Sequence, residues 1–347
     1  MQNCLSQVKL LLNHGDQLDK HKRNGEWKLK KPAFLYLSIF TSLGLLLSAC
    51  SDEESGGETS DDSASAEGDE PIQVTSTIGQ INDIVENVGG EHVDNTGLMG
   101  PGIDPHNYET SQGDVEQLDE ADIIFWNGLN LEAQMADMLE QMGNEKPVHT
   151  LGEEVPDEAI LEDEEEAGAP DPHIWFDPEL WAYAVEGVRD SLAELDPENA
   201  DDYQANADAY IDELEELQAW AEEEIETIDE DSRVLVTAHD AFQYFGDAVG
   251  MEVMGLQGIS TEAEVGLSDV QGIIDEMIER DINALFSETS VSDSAVDAVI
   301  EGAQEQGHEV ENGGALYSDA MGEPGTEEGT YTGMYEANIN QIVDVLE

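Results

Sequence analysis

The sequence predicts an α/β protein of two lobes, each a mostly parallel sheet flanked by helices, joined by one long helix. Three observations carry this expectation. Short apolar runs alternate with stretches of helical periodicity both before and after residue 200. Between the two alternating regions, Tyr203, Ala207, Tyr210, Leu214, Leu217, Ala221, Ile225 and Ile228 fall at steps of three and four, with no Gly or Pro among them. The chain, at 347 residues, is also long enough for two domains of ordinary size.

Taken in order, residues 73–78 (Gln-Val-Thr-Ser-Thr-Ile) read as a first strand, and Ile81, Ile84, Val85 and Val88 follow at helical spacing. Ile123, Ile124 and Phe125 read as a buried strand and residues 131–142 as a helix. Asp196 is the expected N-cap of the long helix and Pro197 its first residue, giving a helix over 197–230, roughly 45 Å long at the standard rise. The alternation then resumes. Strands are expected at 234–237 and 284–287, and helices at 241–249, 267–280, 292–306 and 334–346. The expected lobes are therefore residues 72–196 and 231–347, and the cleft between them is the natural place for a ligand.

The N-terminal part has a different character. Lys28, Lys30 and Lys31 precede an apolar run over 33–47, which ends in Leu47-Ser48-Ala49-Cys50. This is the pattern of a signal peptide over 1–49. A Cys directly after Leu-Ser-Ala resembles the bacterial lipobox, which implies cleavage before Cys50 and its lipidation. Residues 51–70 contain only Ser, Asp, Glu, Gly, Thr and Ala, so 50–71 reads as an acidic tether. The processed chain would then carry no free thiol, and neither disulfides nor thiolate metal ligands are expected.

There are 82 acidic and 11 basic residues, for a net charge of −71. Beyond Cys50 only Lys146, Arg189, Arg233 and Arg280 are basic. Such a surface excludes nucleic acid and anionic lipid as partners, and its self-repulsion predicts lower stability on desalting. It is the composition of a surface solvated in a saline medium.

Chemistry concentrates at four points. His106 and His173 each end an Asp-Pro-His triplet in a Gly/Pro-rich or Pro-bounded loop. His239 stands where a strand ends and a helix begins, the position at which open α/β sheets carry ligand-binding residues. Asp319 follows another short apolar run. Three imidazoles and one carboxylate, two from each lobe, make a complete shell for a divalent metal. His92, His149 and His308 occupy no comparable context, and Glu288, just after a strand, is expected to support the site without ligating.

At these residues the chain resembles the metal-specific solute receptors of bacterial ABC importers, the TroA-like cluster A-I group. The matching segments are residues 100–109, 121–132, 171–178, 237–245, 258–264 and 316–334, so the resemblance spans most of 72–346. It implies that His106, His173, His239 and Asp319 hold Zn2+ or Mn2+ in the interlobe cleft, and that the long helix is a rigid strut. It further implies a lipoprotein anchored outside the cell membrane through Cys50, acting as a monomer with a separate permease and ATPase. One departure is the acidic run at 153–166, where zinc-dedicated members often carry a His-rich loop; it reads as a flexible, solvated loop. An enzyme is not expected: there is no His-Glu-x-x-His motif, and a four-ligand shell leaves no position for an activated water. A surface adhesin with a structural metal remains an open alternative at the level of sequence.

Overall fold

The computed structural model describes residues 70–163 and 168–347. The expected signal peptide, Cys50 and nearly all of the tether fall outside the described residues.

The N-terminal lobe is built from β1 (Ile72–Ser76), α1 (Gly79–Gly89), β2 (Val93–Gly97), α2 (Gln112–Glu120), β3 (Ile123–Trp126), α3 (Ala136–Met142) and β4 (Val148–Thr150). Its sheet has the order β2-β1-β3-β4 and every pairing is parallel. The central β3 is buried along its whole length, as its apolar run requires. The edge strand β2 (Val-Asp-Asn-Thr-Gly) is largely exposed and polar, so it leaves no apolar signature in the sequence. The helix expected at 131–142 begins only at Ala136. Residues 131–135 form a turn instead, entered through Gly128, Leu129 and Asn130, which all have positive φ. A Cβ on Gly128 would sit 2.2 Å from the Thr150 methyl, so only Gly fits there.

Two helices follow. The first, α4 (Pro178–Leu195), carries Pro in its first turn, and the Asp177 carboxylate accepts from the N–H groups of Glu179 and Leu180 at 2.8 and 3.1 Å. The second, α5 (Ala200–Ile225), is the expected long helix, shorter at both ends than 197–230. Asp196 does not cap it. That residue closes α4, and its carboxylate accepts from the Asn199 amide at 2.6 Å and the Tyr203 hydroxyl at 2.9 Å. The Pro197 turn therefore separates two helices instead of opening one. The apolar stripe is in the expected register, with Tyr203, Ala207, Tyr210, Leu214, Leu217, Ala221 and Ile225 all buried.

The C-terminal lobe contains β5 (Val234–His239), α6 (Gln243–Val249), β6 (Glu252–Gln257), α7 (Leu267–Arg280), β7 (Ala284–Glu288), α8 (Ser294–Glu305), β8 (Glu311–Leu316) and α9 (Tyr331–Leu346). β5 pairs with β6 and β7 with β8, both in parallel, and β5 runs beside β7. The strand succession thus reverses direction between β5 and β7. In α/β sheets the crevice at the carboxyl ends of such strands is where ligands bind.

One continuous apolar core runs through both lobes. It joins Ile84, Val88 and Phe125 to residues of α4 and α5, and these to Phe242, Phe245, Tyr335 and Ile339. A second, smaller core lies between β5, β7 and the helices α7 and α8, through Val236, Leu285, Ile274 and Val299. The helix α5 touches α1 and α4 and also α6 and α9, so it fastens both lobes to a shared interior.

The few cations serve structure. Lys146 Nζ donates to the carbonyls of Leu118, Asp119 and Ala121 at 2.9, 2.6 and 2.7 Å, at the C-terminal end of α2. Arg233 does the same beyond α5, to Ile228 and Glu226 at 3.0 Å each. Cations at helix C-termini complement the helix dipole.

Candidate metal centre

The two Asp-Pro-His triplets fold into the same local turn. Asp104 Oδ1 accepts from the His106 N–H at 2.9 Å, and Asp171 Oδ1 accepts from the His173 N–H at 2.9 Å. An Asp side chain bonding the backbone two residues on is the Asx-turn, and the intervening Pro restricts the backbone that makes it. Asp171 goes further, because the same oxygen also lies 2.7 Å from the His173 ring Nδ1. The Asn127 amide donates to the Pro172 carbonyl at 3.0 Å. Asn127 is fixed in turn by the buried Glu132, whose carboxylate takes the Asn127 and Gly128 N–H groups at 2.9 and 3.0 Å and the Thr77 hydroxyl at 2.6 Å.

In the C-terminal lobe the support is long-range. His239 is the last residue of β5 and Glu288 the last of β7. Glu288 Oε1 accepts from the His239 N–H at 2.8 Å, and Oε2 closes on the ring Nδ1. In both His173 and His239 a carboxylate on Nδ1 leaves Nε2 as the free donor atom. Asp240 turns away: its carboxylate accepts from Gln243 at 2.7 Å.

His106, His173, His239 and Asp319 converge, with one ligand atom from each all lying within 4.8 Å of one another. Asp319 Oδ1 is 3.3 Å from His173 Nε2, and Oδ2 is 3.4 Å from His239 Nε2 and 4.0 Å from His106 Nε2. All four residues are buried, with exposures of 2%, 0%, 0% and 1% respectively. The three Nε2 atoms and both Asp319 oxygens lack any hydrogen-bond partner. Five buried polar atoms that face one another at 3.3–4.0 Å without an aligned hydrogen bond are costly to leave so. A divalent cation with ligands at about 2.0–2.4 Å would satisfy them all together. A cavity of about 390 Å³ bordered by Asp83, Glu86, Met99 and Met321 reaches Asp319.

The protonation pattern follows from the partners. Burial holds His106 down to about 4, against the pull of Asp319. Burial also opposes charge on His173, but Asp171 and then Asp319 outweigh it and raise the ring to about 9. His239 likewise overcomes burial and is raised well above the usual range, first by Glu288 and then by Asp319. For Asp319, burial works against ionisation, yet the surrounding imidazoles hold its carboxyl well below the ordinary range. The carboxylates of Asp171, Glu288 and Asp319 thus favour the charged form of His173 and His239, while burial favours neutral His106.

The other described histidines stand apart. His92 meets Asp202 at 3.1 Å. His149 lies between Glu154 at 2.8 Å and Ser191 at 2.9 Å. His308 bonds the Ile282 carbonyl at 2.7 Å. The described part of the acidic run is anchored, not free: Val155 is buried, and the Leu161 N–H donates to the Tyr244 hydroxyl at 2.9 Å. Short apolar residues between the carboxylates hold the segment to the lobe.

Residues 74–345 match the family described as zinc-uptake complex component A, periplasmic. The chain belongs to this family. It is 48% identical over 286 residues to the manganese-binding lipoprotein MntA of Bacillus subtilis strain 168, which covers 82% of this chain and 93% of that one. It is 43% identical over 283 residues to the zinc-binding protein TroA of Treponema pallidum strain Nichols, covering 82% and 91%. The solved structure of the periplasmic zinc-binding protein TroA from Treponema pallidum superposes with a TM-score of 0.78 at 42% identity, over 80% of this chain and 99% of that chain. The α/β architecture expected from the sequence is the architecture of this zinc-uptake family.

Proposed function

We propose that this chain is an extracytoplasmic solute-binding lipoprotein that captures a divalent transition metal, Zn2+ or Mn2+, and hands it to an ABC importer. The observation that carries the reading is the set of five unpartnered buried donor atoms on His106, His173, His239 and Asp319. In this reading the metal is cargo. His106 and His173 hold it from the N-terminal lobe, and His239 and Asp319 complete the shell from the other. Residues 72–196 and 231–347 act as the two lobes, and the helix between them limits how far they move apart. Binding favours the closed form because ligands from both sides engage together. A separate permease and ATPase receive the cargo from a monomeric receptor, held at the membrane by lipid on Cys50. Among the described residues no helix is long and apolar enough to cross a membrane.

The shell admits both metals. Three imidazoles and one carboxylate favour zinc in affinity, along the Irving–Williams order. Both Asp319 oxygens face imidazoles, so bidentate ligation raises the coordination number to one that manganese accepts. The test is elemental analysis of the purified protein, followed by competition of zinc against manganese. One equivalent of metal, lost in Asp319→Ala and in His239→Ala, is the expected result. Metal indifferent to both substitutions would mean that the acidic surface only collects cations.

A further inference from the structure

The carbonyl oxygen of Ser318 is reached by two side chains from the opposite lobe. The Gln80 amide donates to it at 3.2 Å, and so does the Trp175 indole N–H at 3.2 Å. All three residues are fully buried. Ser318 immediately precedes Asp319, and its hydroxyl is held within its own lobe by Ser290 Oγ at 3.0 Å. Trp175 stands two residues beyond His173, and its ring meets that imidazole edge-on, with centroids 5.2 Å apart. The Trp175 carbonyl accepts the Tyr331 hydroxyl at 2.7 Å. One indole thus touches an imidazole of the N-terminal half of the site and fixes the peptide that leads into the carboxylate of the other half.

A carbonyl oxygen has two lone pairs, and here both are used by donors from across the cleft. Both bonds cross between the lobes, so separating the lobes breaks them together. We infer that Gln80 and Trp175 are positioning residues that clamp the Ser318 peptide, orient Asp319 and slow release of the metal. The inference rests on the metal-receptor reading above and names the residues that govern release from that site. Neither residue touches the metal; both act through Asp319. Both bonds join the two sides of the site, so their loss is expected to speed release and to leave capture alone.

The test uses the full-length chain loaded with zinc and mixed rapidly with an excess of a fluorescent chelator. Gln80→Met keeps the bulk and removes the donor. Trp175→Phe keeps an aromatic ring and removes the indole N–H. Each variant is expected to release zinc about fivefold to tenfold faster, and the double variant faster than either. The rate of zinc capture should match the parent, and any fall in the thermal midpoint of the metal-free protein should be smaller than that of the zinc-loaded protein. A merely structural role would lower the metal-free midpoint and leave release unchanged, and that result overturns the clamp. Should Trp175→Phe fold poorly, Gln80→Met alone decides. A parent protein that holds no stoichiometric zinc would overturn the metal reading itself, which is a different result from zinc held and released at the parent rate by Gln80→Met.

Discussion

In the N-terminal lobe each imidazole is set by an Asp two residues upstream, whereas in the C-terminal lobe His239 is set by Glu288, 49 residues away. The local device places the backbone: Asp104 and Asp171 take the His106 and His173 N–H at the same 2.9 Å. It does not by itself set the charge. His106 is pushed down to about 4 by burial, while His173, in an equivalent turn, is raised to about 9 because Asp171 also reaches its ring. Glu288 performs both tasks at once, one oxygen on the backbone and one on the ring. Backbone placement and ring charge are thus separable in one lobe and fused in the other.

The largest effect should follow where they are fused. Glu288→Gln removes the charge facing the His239 ring and is expected to weaken metal binding by about a hundredfold, measured by chelator competition. A loss no greater than that of Asp104→Asn would break the comparison.

Asp171→Asn should weaken binding by about tenfold, because Asn still accepts the His173 N–H but no longer charges the ring. Its sharper signature is protonic. A protonated imidazole cannot bind metal, and His173 and His239 are both raised above neutrality, so metal must displace about two protons per ion near neutral pH. Affinity should therefore rise with pH above neutrality, and the His173 share of that rise should end at about 9. His106, at about 4, is already neutral there and contributes nothing to this slope. In Asp171→Asn, calorimetry in buffers of different ionisation heat should register about one proton fewer. An unchanged proton count would separate the His173 charge from Asp171.

The smallest effect belongs to Asp104→Asn. The Asx-turn survives, and His106 carries no charge for Asp104 to support at neutral pH. A change in affinity below about threefold is expected, whereas Asp104→Ala, which loses the turn, should cost about tenfold. Equal losses in the two variants would show that Asp104 acts through its charge or through Oδ2, which accepts from Asn107 at 2.9 Å and Thr261 at 2.6 Å, and not through backbone placement.

The same contrast explains what could be read from the chain alone. Asp-Pro-His is a local pattern whose turn chemistry is written in adjacent residues, so His106 and His173 stand out. The strand-end position of His239 is legible because β5 is an apolar run. Its partnership with Glu288 depends on β5 and β7 lying side by side, which periodicity does not encode. Gln80 is a further case: it sits in the first turn of α1 among apolar neighbours, and only the packing of the lobes gives it a task. Among the elements, β3 and α7 were legible because their apolar patterns are strong, and residues 267–280 form the expected helix. The strands β2 and β6 were not, because one is a polar edge and the other mixes Glu, Met and Gly. The long helix was overextended because Asp196-Pro197 carries the signature of a helix start, while the chain spends it on the turn between α4 and α5.

The central claim is that a single divalent cation sits between the two halves of this site. The most direct measurement is the anomalous diffraction of crystals of the zinc-loaded protein. The expected result is one strong peak, about 2.0–2.2 Å from Nε2 of His106, His173 and His239 and from Asp319. A peak among surface carboxylates, with no density between the three imidazoles, would contradict it.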